Sequence, residues 1–329
     1  AATVLGSFSR GYSLGITDRK ERIIKRRAVG QGEAGEGRRS AAGAPGVDRV
    51  VAHPAGGEDA AHAGRRVDVQ DFMVVCPGST SFAQALEWTA EVYRHAGLLM
   101  AQRGSLFGVA DEGGWWPDFS SNEQALEMLV LAIERAGFIP GDQVAIALDI
   151  AASEFGQQGQ YRLGLDSKEL DSDGMIEMLL RWVEKYPIVS IEDPLAEDDA
   201  LGFSRFTKAI GHRLQIVGDD FLVSNSNLIR EAANIGAANT VLLKPNQRGT
   251  LSETLLAWKV AQELGYSAIV SARSGETEDT TIVDLAIGWN VGQLKVGSFA
   301  RSERMIKWNH ALRIEEQLGT QASFAGGSV

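Results

Sequence analysis

The stretch that decides the fold is 188–194, IVSIEDP, in which an apolar, β-branched run ends on a pair of carboxylates. Short runs of the same kind recur along the chain, and several are apolar throughout, which is typical of strands buried on both faces of a parallel sheet. The runs that we predict to be strands are 144–150, 188–192, 215–219, 240–244, 267–271 and 293–296. Longer stretches separate them, so the chain is predicted to alternate strand and helix, as α/β proteins do.

Two of the stretches between the strands have a clear helical period. Residues 121–136 and 173–186 place apolar residues three or four positions apart, which gives each helix one apolar face. We expect both faces to pack against the core and assign no chemistry to them.

Charged residues stand at the carboxyl ends of five predicted strands, at intervals of roughly 25 residues or about twice that. They are Asp149, Glu192, Asp219, Lys244 and Lys295. In a (β/α)8 barrel the active site is built at this rim from the ends of different strands. Helix capping could explain one or two of the acids, but not two lysines that end apolar strands. The pattern therefore predicts an α/β protein with a (β/α)8 barrel and a charged site at its rim.

The residue types at these strand ends indicate the chemistry. Three carboxylates with no His or Cys among them form a hard oxygen-donor set, which suits Mg2+ better than Zn2+. A lysine beside a divalent cation, desolvated in the mouth of a barrel, can have its pKa lowered toward working pH and can act as a general base. The combination favours abstraction of a weakly acidic proton next to a carboxylate.

The overall composition is that of a globular protein. The chain has 329 residues, 44% of them hydrophobic, and no apolar run long enough to span a bilayer. Its formal net charge of -11 argues against a nucleic-acid partner. The single cysteine, Cys76, excludes an intrachain disulfide, and the first residues do not read as a secretory signal. We therefore expect a cytoplasmic protein with no membrane partner.

Residues 1–66 differ in kind from the rest of the chain. They contain 12 Lys and Arg against 7 Asp and Glu, are rich in Gly and Ala, and show no apolar period. We therefore expect an atypical, poorly ordered segment at 1–66 and a barrel domain at 67–329. The basic cluster 25–27 could bind nucleic acid, but a solvated tail explains it better. Reading GC-rich DNA out of frame would produce the same composition.

A series of blocks along the chain resembles, in the same order, the signature blocks of enolase, the phosphopyruvate hydratase of glycolysis. The blocks are QDFM at 70–73, DEGG at 111–114, LDIAASEF at 148–155, SIEDP at 190–194, GDD at 218–220, LLKPNQ at 242–247, SGETED at 274–279 and ARSER at 300–304. The resemblance covers roughly residues 62–326. Because many blocks recur in order, it is far more specific than any single motif.

The resemblance implies a metal site and a proton-transfer pair. Asp149, Glu192 and Asp219 match the ligands of the Mg2+ that grips the substrate carboxylate. Lys244 matches the base that removes the proton from carbon 2, and Lys295 matches the lysine that stabilises the enolate. These are the five residues that stand at the strand ends.

The resemblance also implies the contacts to the rest of the substrate. Glu112 matches the acid that helps to expel the hydroxyl group. Arg273 and Ser274 match a phosphate-binding pair, where the fork of an arginine suits a dianion; a structural salt bridge with neighbouring acids is the alternative for Arg273. Gln70 belongs to the QDFM block at the substrate, and His62 matches the histidine of the mobile loop.

Three features depart from the enolase pattern. Asp71 stands where enolases have a glutamate that helps to manage the leaving hydroxyl, and Ala272 stands in place of a histidine, so it can neither donate a hydrogen bond nor transfer a proton. Enolases also carry an α/β capping domain of roughly 130 residues, in the usual domain size range. The loop of that domain that closes over the substrate and a second metal is not found here. We therefore expect an enolase-type barrel with a truncated or atypical N-terminal capping segment.

Three functions remain open. The first is a lyase that interconverts 2-phosphoglycerate and phosphoenolpyruvate through a metal-stabilised enolate. The second is a carboxyphosphonoenolpyruvate synthase of phosphonate antibiotic biosynthesis, which uses phosphoenolpyruvate and phosphonoformate, because Asp71 and Ala272 match positions near the leaving hydroxyl and phosphate. The third is a non-catalytic enolase-like binding protein, although random decay of the site would then be expected. The resemblance further implies a homodimer.

Overall fold

The computed structural model describes residues 4–7 and 67–326. Within these residues a curled, mostly parallel sheet forms the centre of the fold, and helices pack against its outer face. The strands are β1 (Val4–Ser7), β2 (Asp71–Val75), β3 (Leu106–Val109), β4 (Trp115–Pro117), β5 (Ala145–Asp149), β6 (Gly156–Gln157), β7 (Gln160–Leu163), β8 (Lys168–Asp171), β9 (Ile188–Glu192), β10 (Gln215–Gly218), β11 (Thr240–Leu243), β12 (Ser267–Ser271) and β13 (Gln293–Lys295). The helices are α1 (Phe82–Gln102), α2 (Asn122–Arg135), α3 (Ser172–Lys185), α4 (Ala200–Ile210), α5 (Ser226–Asn234), α6 (Pro245–Arg248), α7 (Leu251–Glu263), α8 (Thr281–Gly288) and α9 (Ser302–Leu318).

Six neighbouring strands of the central sheet run parallel to one another. Their order is β5, β9, β10, β11, β12 and β13, and helices lie between them along the chain. At one edge β2 pairs with β5 in the antiparallel direction. The backbone of β1 pairs with β13 in the antiparallel direction and with β2 in the parallel direction.

Alternate residues of these strands enter two different apolar clusters. The inner cluster lies within the curl of the sheet and contains Met73, Ala147 and Leu242. Neighbouring positions, such as Leu148 and Leu243, face outward into the larger cluster between sheet and helices. Burial on both faces explains why the strands read as continuous apolar runs in the sequence.

The six predicted strands and the two predicted helices are confirmed to within two residues at each end. The helix predicted at 121–136 is α2, which begins after Ser121, whose side chain accepts a hydrogen bond from the main-chain NH of Gln124. The helix predicted at 173–186 is α3, which the side chain of Asp171 caps by accepting a hydrogen bond from the main-chain NH of Gly174. Both bury an apolar face in the outer cluster, as expected.

Strand β2 and two small sheets were not predicted from the sequence. The strands β3 and β4 form a hairpin, and β6, β7 and β8 form a three-stranded antiparallel sheet. The predicted boundary at residue 66 stays a prediction, because most of the segment 1–66 lies outside the described residues. Among the helices of the described part, none is both long enough and apolar enough to span a membrane.

Candidate active site

The strand register brings the three predicted acidic ligands to one rim of the sheet. Asp149 and Glu192 are direct partners across β5 and β9. Glu192 in turn is paired with Val217 of β10, so Asp219, two residues later, emerges on the same side. All three residues are buried, with 2%, 2% and 7% of their surface exposed. Buried carboxylates need a cation or hydrogen-bond donors nearby.

Two lysines provide part of that compensation. Lys295 lies at the end of β13, and its Nζ donates to Asp149 Oδ2 at 2.6 Å and to both carboxylate oxygens of Glu192 at 3.0 Å. Lys244 follows β11 and donates to Asp219 Oδ2. The five residues predicted at strand ends therefore form a charged network of two ion-paired groups, Lys295 with Asp149 and Glu192, and Lys244 with Asp219.

Burial and the neighbouring charges shift the pKa values of this network. Burial alone would lower the pKa of Lys244, but the charges of Asp219 and Glu192 raise it above its ordinary value. The same competition, with Asp149 and Glu192 as the main partners, raises the pKa of Lys295 well above its ordinary value. The lowered pKa predicted from the sequence concerns a lysine beside a bound divalent cation, so it stays a prediction.

A second set of acids lies next to the first. Among the described residues, Asp193, Asp219 and Asp220 bring three carboxylate oxygens within 4.8 Å of one another. Burial and the charge of Asp219 raise the pKa of Asp220 to about 7. Both oxygens of Asp193 accept main-chain hydrogen bonds, from the NH groups of Asp219 and Asp220, at 2.9 and 2.7 Å. Asp193 thus orients the turn that carries Asp219.

Four of the remaining predicted residues, Gln70, Glu112, Arg273 and Ser274, line one pocket that opens to solvent, and Asp71 is not among its lining residues. Its lining includes Gln70, Glu112, Lys244, Ala272, Arg273, Ser274 and Lys295. Residues from five separate parts of the chain therefore converge on a single space. His62, the remaining predicted contact, lies outside the described residues.

Glu112 reaches this pocket from the loop between β3 and β4. Its carbonyl oxygen accepts a hydrogen bond from the main-chain NH of Ser298 at 2.7 Å. The next residue, Gly113, has φ of +84°, and a Cβ there would lie 2.2 Å from the carbonyl oxygen of Ala300, so only glycine fits. Burial, together with the charge of Asp71, raises the pKa of the Glu112 carboxyl to about 7. A carboxyl group with such a pKa can donate a proton near neutral pH.

Asp71 and Gln70 lie at this rim because β2 runs antiparallel to β5. Asp71, the first residue of β2, is paired with Asp149, the last residue of β5, and is 3% exposed. Gln70 donates from its Nε2 to Asp149 Oδ2 at 3.4 Å. The start of this strand therefore lies at the rim where the parallel strands end.

Arg273 and Ser274 follow β12. No carboxylate of the described residues lies within ion-pair distance of the Arg273 guanidinium. The main-chain NH of Arg273 donates a hydrogen bond to Glu276 Oε1 at 3.0 Å, and the other oxygen of Glu276 pairs with Lys307. The structural salt bridge considered for this arginine is therefore not observed there. Ala272, at the start of the same loop, is buried and donates its main-chain NH to the carbonyl of Lys295.

The sequence analysis missed the residues that hold the site in place. Asp193 orients Asp219, as described above. Ser224, fully buried, accepts a hydrogen bond from the main-chain NH of Lys244 at 2.8 Å. Arg304, also fully buried, binds the loop that carries Arg273. Asp193 and Arg304 stand inside blocks that the sequence analysis quoted, but only the fold shows what they contact.

The family comparison agrees with this geometry. The model of the enolase C-terminal TIM barrel domain matches residues 55–329, which is most of the chain. The matched segment includes every described residue of the pocket and of the charged network. The chain therefore belongs to the enolase superfamily.

Proposed function

We propose that this protein is a Mg2+-dependent carbon-oxygen lyase of the enolase type, which interconverts 2-phosphoglycerate and phosphoenolpyruvate. The observation that carries the proposal is that a candidate base, Lys244, and a candidate acid, Glu112, line the same pocket as Arg273. Removal of a proton and expulsion of a hydroxyl group need a base and an acid together, on a substrate whose phosphate is held. We further propose that β1 completes an eight-stranded barrel.

The acidic residues at the rim fit a hard divalent cation. The ligands we propose are Asp149, Glu192 and Asp219, which supply only oxygen donors. Asp219 Oδ1 is buried and has no hydrogen-bond partner among the described residues, so it has a free position for a cation. When bound, Mg2+ would supply positive charge to the substrate carboxylate as the proton on carbon 2 is lost.

The residues of the chain then have separate tasks. Lys244 takes the proton from carbon 2, for which it must first be neutral. Weakening of its contact with Asp219 favours the neutral form, because burial lowers the pKa of Lys244. Lys295, held between two carboxylates, keeps its proton and faces the negative charge that develops on the substrate. Glu112 gives a proton to the leaving hydroxyl, and Arg273 with Ser274 binds the phosphate.

A second candidate function is carboxyphosphonoenolpyruvate synthesis. The observation that favours it is the small side chain of Ala272 on the pocket wall, next to Arg273. A histidine at this position would occupy part of the space, so the alanine leaves room for a second anionic substrate. The groups for enolate chemistry, Lys244 and Lys295, are the same in both candidates.

One set of assays separates the candidates. The purified protein is given Mg2+ with 2-phosphoglycerate, and phosphoenolpyruvate formation is followed by its ultraviolet absorbance. In parallel it is given phosphoenolpyruvate with phosphonoformate, and phosphorus NMR detects a new carbon-phosphorus species. Dehydration in the first assay supports the lyase, and turnover in the second alone supports the synthase. Binding of phosphoenolpyruvate without turnover in either assay would leave a non-catalytic binding protein.

A further inference from the structure

A fully buried arginine on helix α9 ties together two loops of the pocket. Arg304 Nη1 donates to the carbonyl oxygens of Arg273, at 2.7 Å, and Val296, at 2.8 Å. Its Nη2 donates to the carbonyl oxygen of Ser274 at 2.5 Å. The guanidinium thus joins the loop after β12 to the end of β13, the strand that carries Lys295.

A second buried cation, one turn later on α9, holds the other end of the same loop. Lys307 is 1% exposed, and its Nζ donates to the carbonyl oxygens of Thr277, at 2.6 Å, and Glu303, at 2.9 Å. It also pairs with Glu276 Oε2 at 2.9 Å. The other oxygen of Glu276 accepts from the main-chain NH of Arg273. The loop 273–277 is therefore fixed at both ends from one helix.

We propose that Arg304 and Lys307 are positioning residues that hold Arg273 and Ser274 in the geometry that binds the anionic group of the substrate. This inference rests on the proposed function only in assigning that anion to a phosphate. The carbonyls of 273 and 274 are bound from the α9 side, and both residues line the pocket. Neither Arg304 nor Lys307 lines the pocket, so each acts on the substrate through the loop 273–277.

The chemistry of the two cations supports a geometric role. A guanidinium carries five donors in a rigid, planar fork, so it can bind three carbonyl oxygens whose relative positions are then fixed. A lysine at 304 would keep the charge but could not hold all three carbonyls in that plane. Gly297 leaves room for this side chain, because a Cβ there would lie 2.7 Å from Arg304 Cδ.

The test compares Arg304→Met, Arg304→Lys and Glu276→Gln with the wild type. The control is Arg313→Met, at an exposed arginine on the same helix. Binding of phosphoenolpyruvate in Mg2+ is measured by calorimetry, KM and kcat by turnover, and folding by thermal unfolding. We expect Arg304→Met to weaken phosphoenolpyruvate binding by roughly tenfold, the effect of one lost charge-assisted contact. KM should rise with it, and kcat should change less. Arg304→Lys should restore part of the affinity, and the control should bind like the wild type.

Two outcomes would overturn the inference. One is a lower melting temperature for the Arg304 variants with an unchanged dissociation constant for phosphoenolpyruvate, which would make the arginine merely structural. If Arg304→Met does not fold, Arg304→Lys decides, because it keeps the buried charge but cannot hold all three carbonyl oxygens in one plane. An unchanged dissociation constant in that variant would equally refute positioning. The proposed function fails separately: a wild type that binds phosphoenolpyruvate but turns over nothing refutes the lyase and leaves the binding comparison intact.

Discussion

Replacement of Lys244 by alanine should abolish proton exchange at carbon 2 of the substrate while Mg2+ still binds. The general base contributes a factor of roughly 10² to 10⁴ to such a step, so exchange in Lys244→Ala should fall by at least that much. The metal should be retained, because Lys244 occupies one oxygen of Asp219 and its loss frees that oxygen.

The same replacement should also destabilise the fold. Lys244 and Asp219 form an ion pair whose side chains are only 14% and 10% exposed. Removing one partner of a buried pair costs about 3 to 5 kcal/mol. The residual exposure here favours the lower end, about 3 kcal/mol, which corresponds to a fall in melting temperature of roughly 4 to 6 °C.

A second variant separates the two effects. Lys244→Arg keeps a positive charge beside Asp219, but a guanidinium does not lose its proton in proteins. It should therefore restore most of the lost stability and none of the exchange. Lys259→Ala, at an exposed lysine on α7, is the matched control and should leave both unchanged.

The assay follows loss of deuterium from carbon 2 of labelled 2-phosphoglycerate by NMR, with Mg2+ binding measured by calorimetry. Exchange at the wild-type rate in Lys244→Arg would refute the base assignment. Joint loss of Mg2+ binding and exchange in Lys244→Ala would show instead that this lysine is structural.

Three further predictions test other parts of the site. If the protein is an impaired enolase, Ala272→His combined with Asp71→Glu should raise the rate of 2-phosphoglycerate dehydration by a factor of ~10² or more. Loss of phosphonoformate turnover without that gain would support the synthase. No change in either rate would show that neither position touches the substrate. Dehydration should decline as pH rises through about 7, where Glu112 loses the proton that it donates. Asp71→Asn should move that decline to lower pH, because the charge of Asp71 raises the pKa of Glu112. An unchanged pH profile in Glu112→Gln would refute the role of Glu112 as the acid. Gly113→Ala should lower the free energy of unfolding by roughly 3 kcal/mol, because the new Cβ would meet a main-chain oxygen. Gly236 also has a positive φ but has open space around it, so Gly236→Ala measures the backbone strain without a steric clash. Equal losses of stability for the two variants in urea unfolding would contradict the clash at Gly113.

Much of the fold could be predicted because its signal is local. A strand buried on both faces must be apolar throughout, so the runs around Leu148 and Leu242 were readable directly from the sequence. A charge that ends such a run is costly to bury, which is why Glu192 and Lys295 marked the functional rim.

The remainder depends on contacts between distant residues. Nothing in the sequence around Asp71 shows that its strand runs against β5, since the direction is set by the neighbouring strands. The partners of Lys295 could not be predicted either, because several carboxylates lie near it at the rim and side-chain geometry decides among them. The role of Arg304 depends on carbonyl groups, which every residue has and which leave no trace in the sequence.

The reversed direction of β2 separates two kinds of loop on this scaffold. Its first residue lies at the rim where the parallel strands end, so the turn that leaves β2, 76–81, is at the opposite end of the sheet, where Gly78 packs against the main chain of Asp142 and Gln143. In the parallel strands the same rim is reached by the connections that leave a strand, whereas in β2 it is reached by the connection that leads into the strand. A peptide tag or an inserted domain at the exposed Thr80 would therefore be remote from the pocket, whereas insertion directly after β12 would enter it.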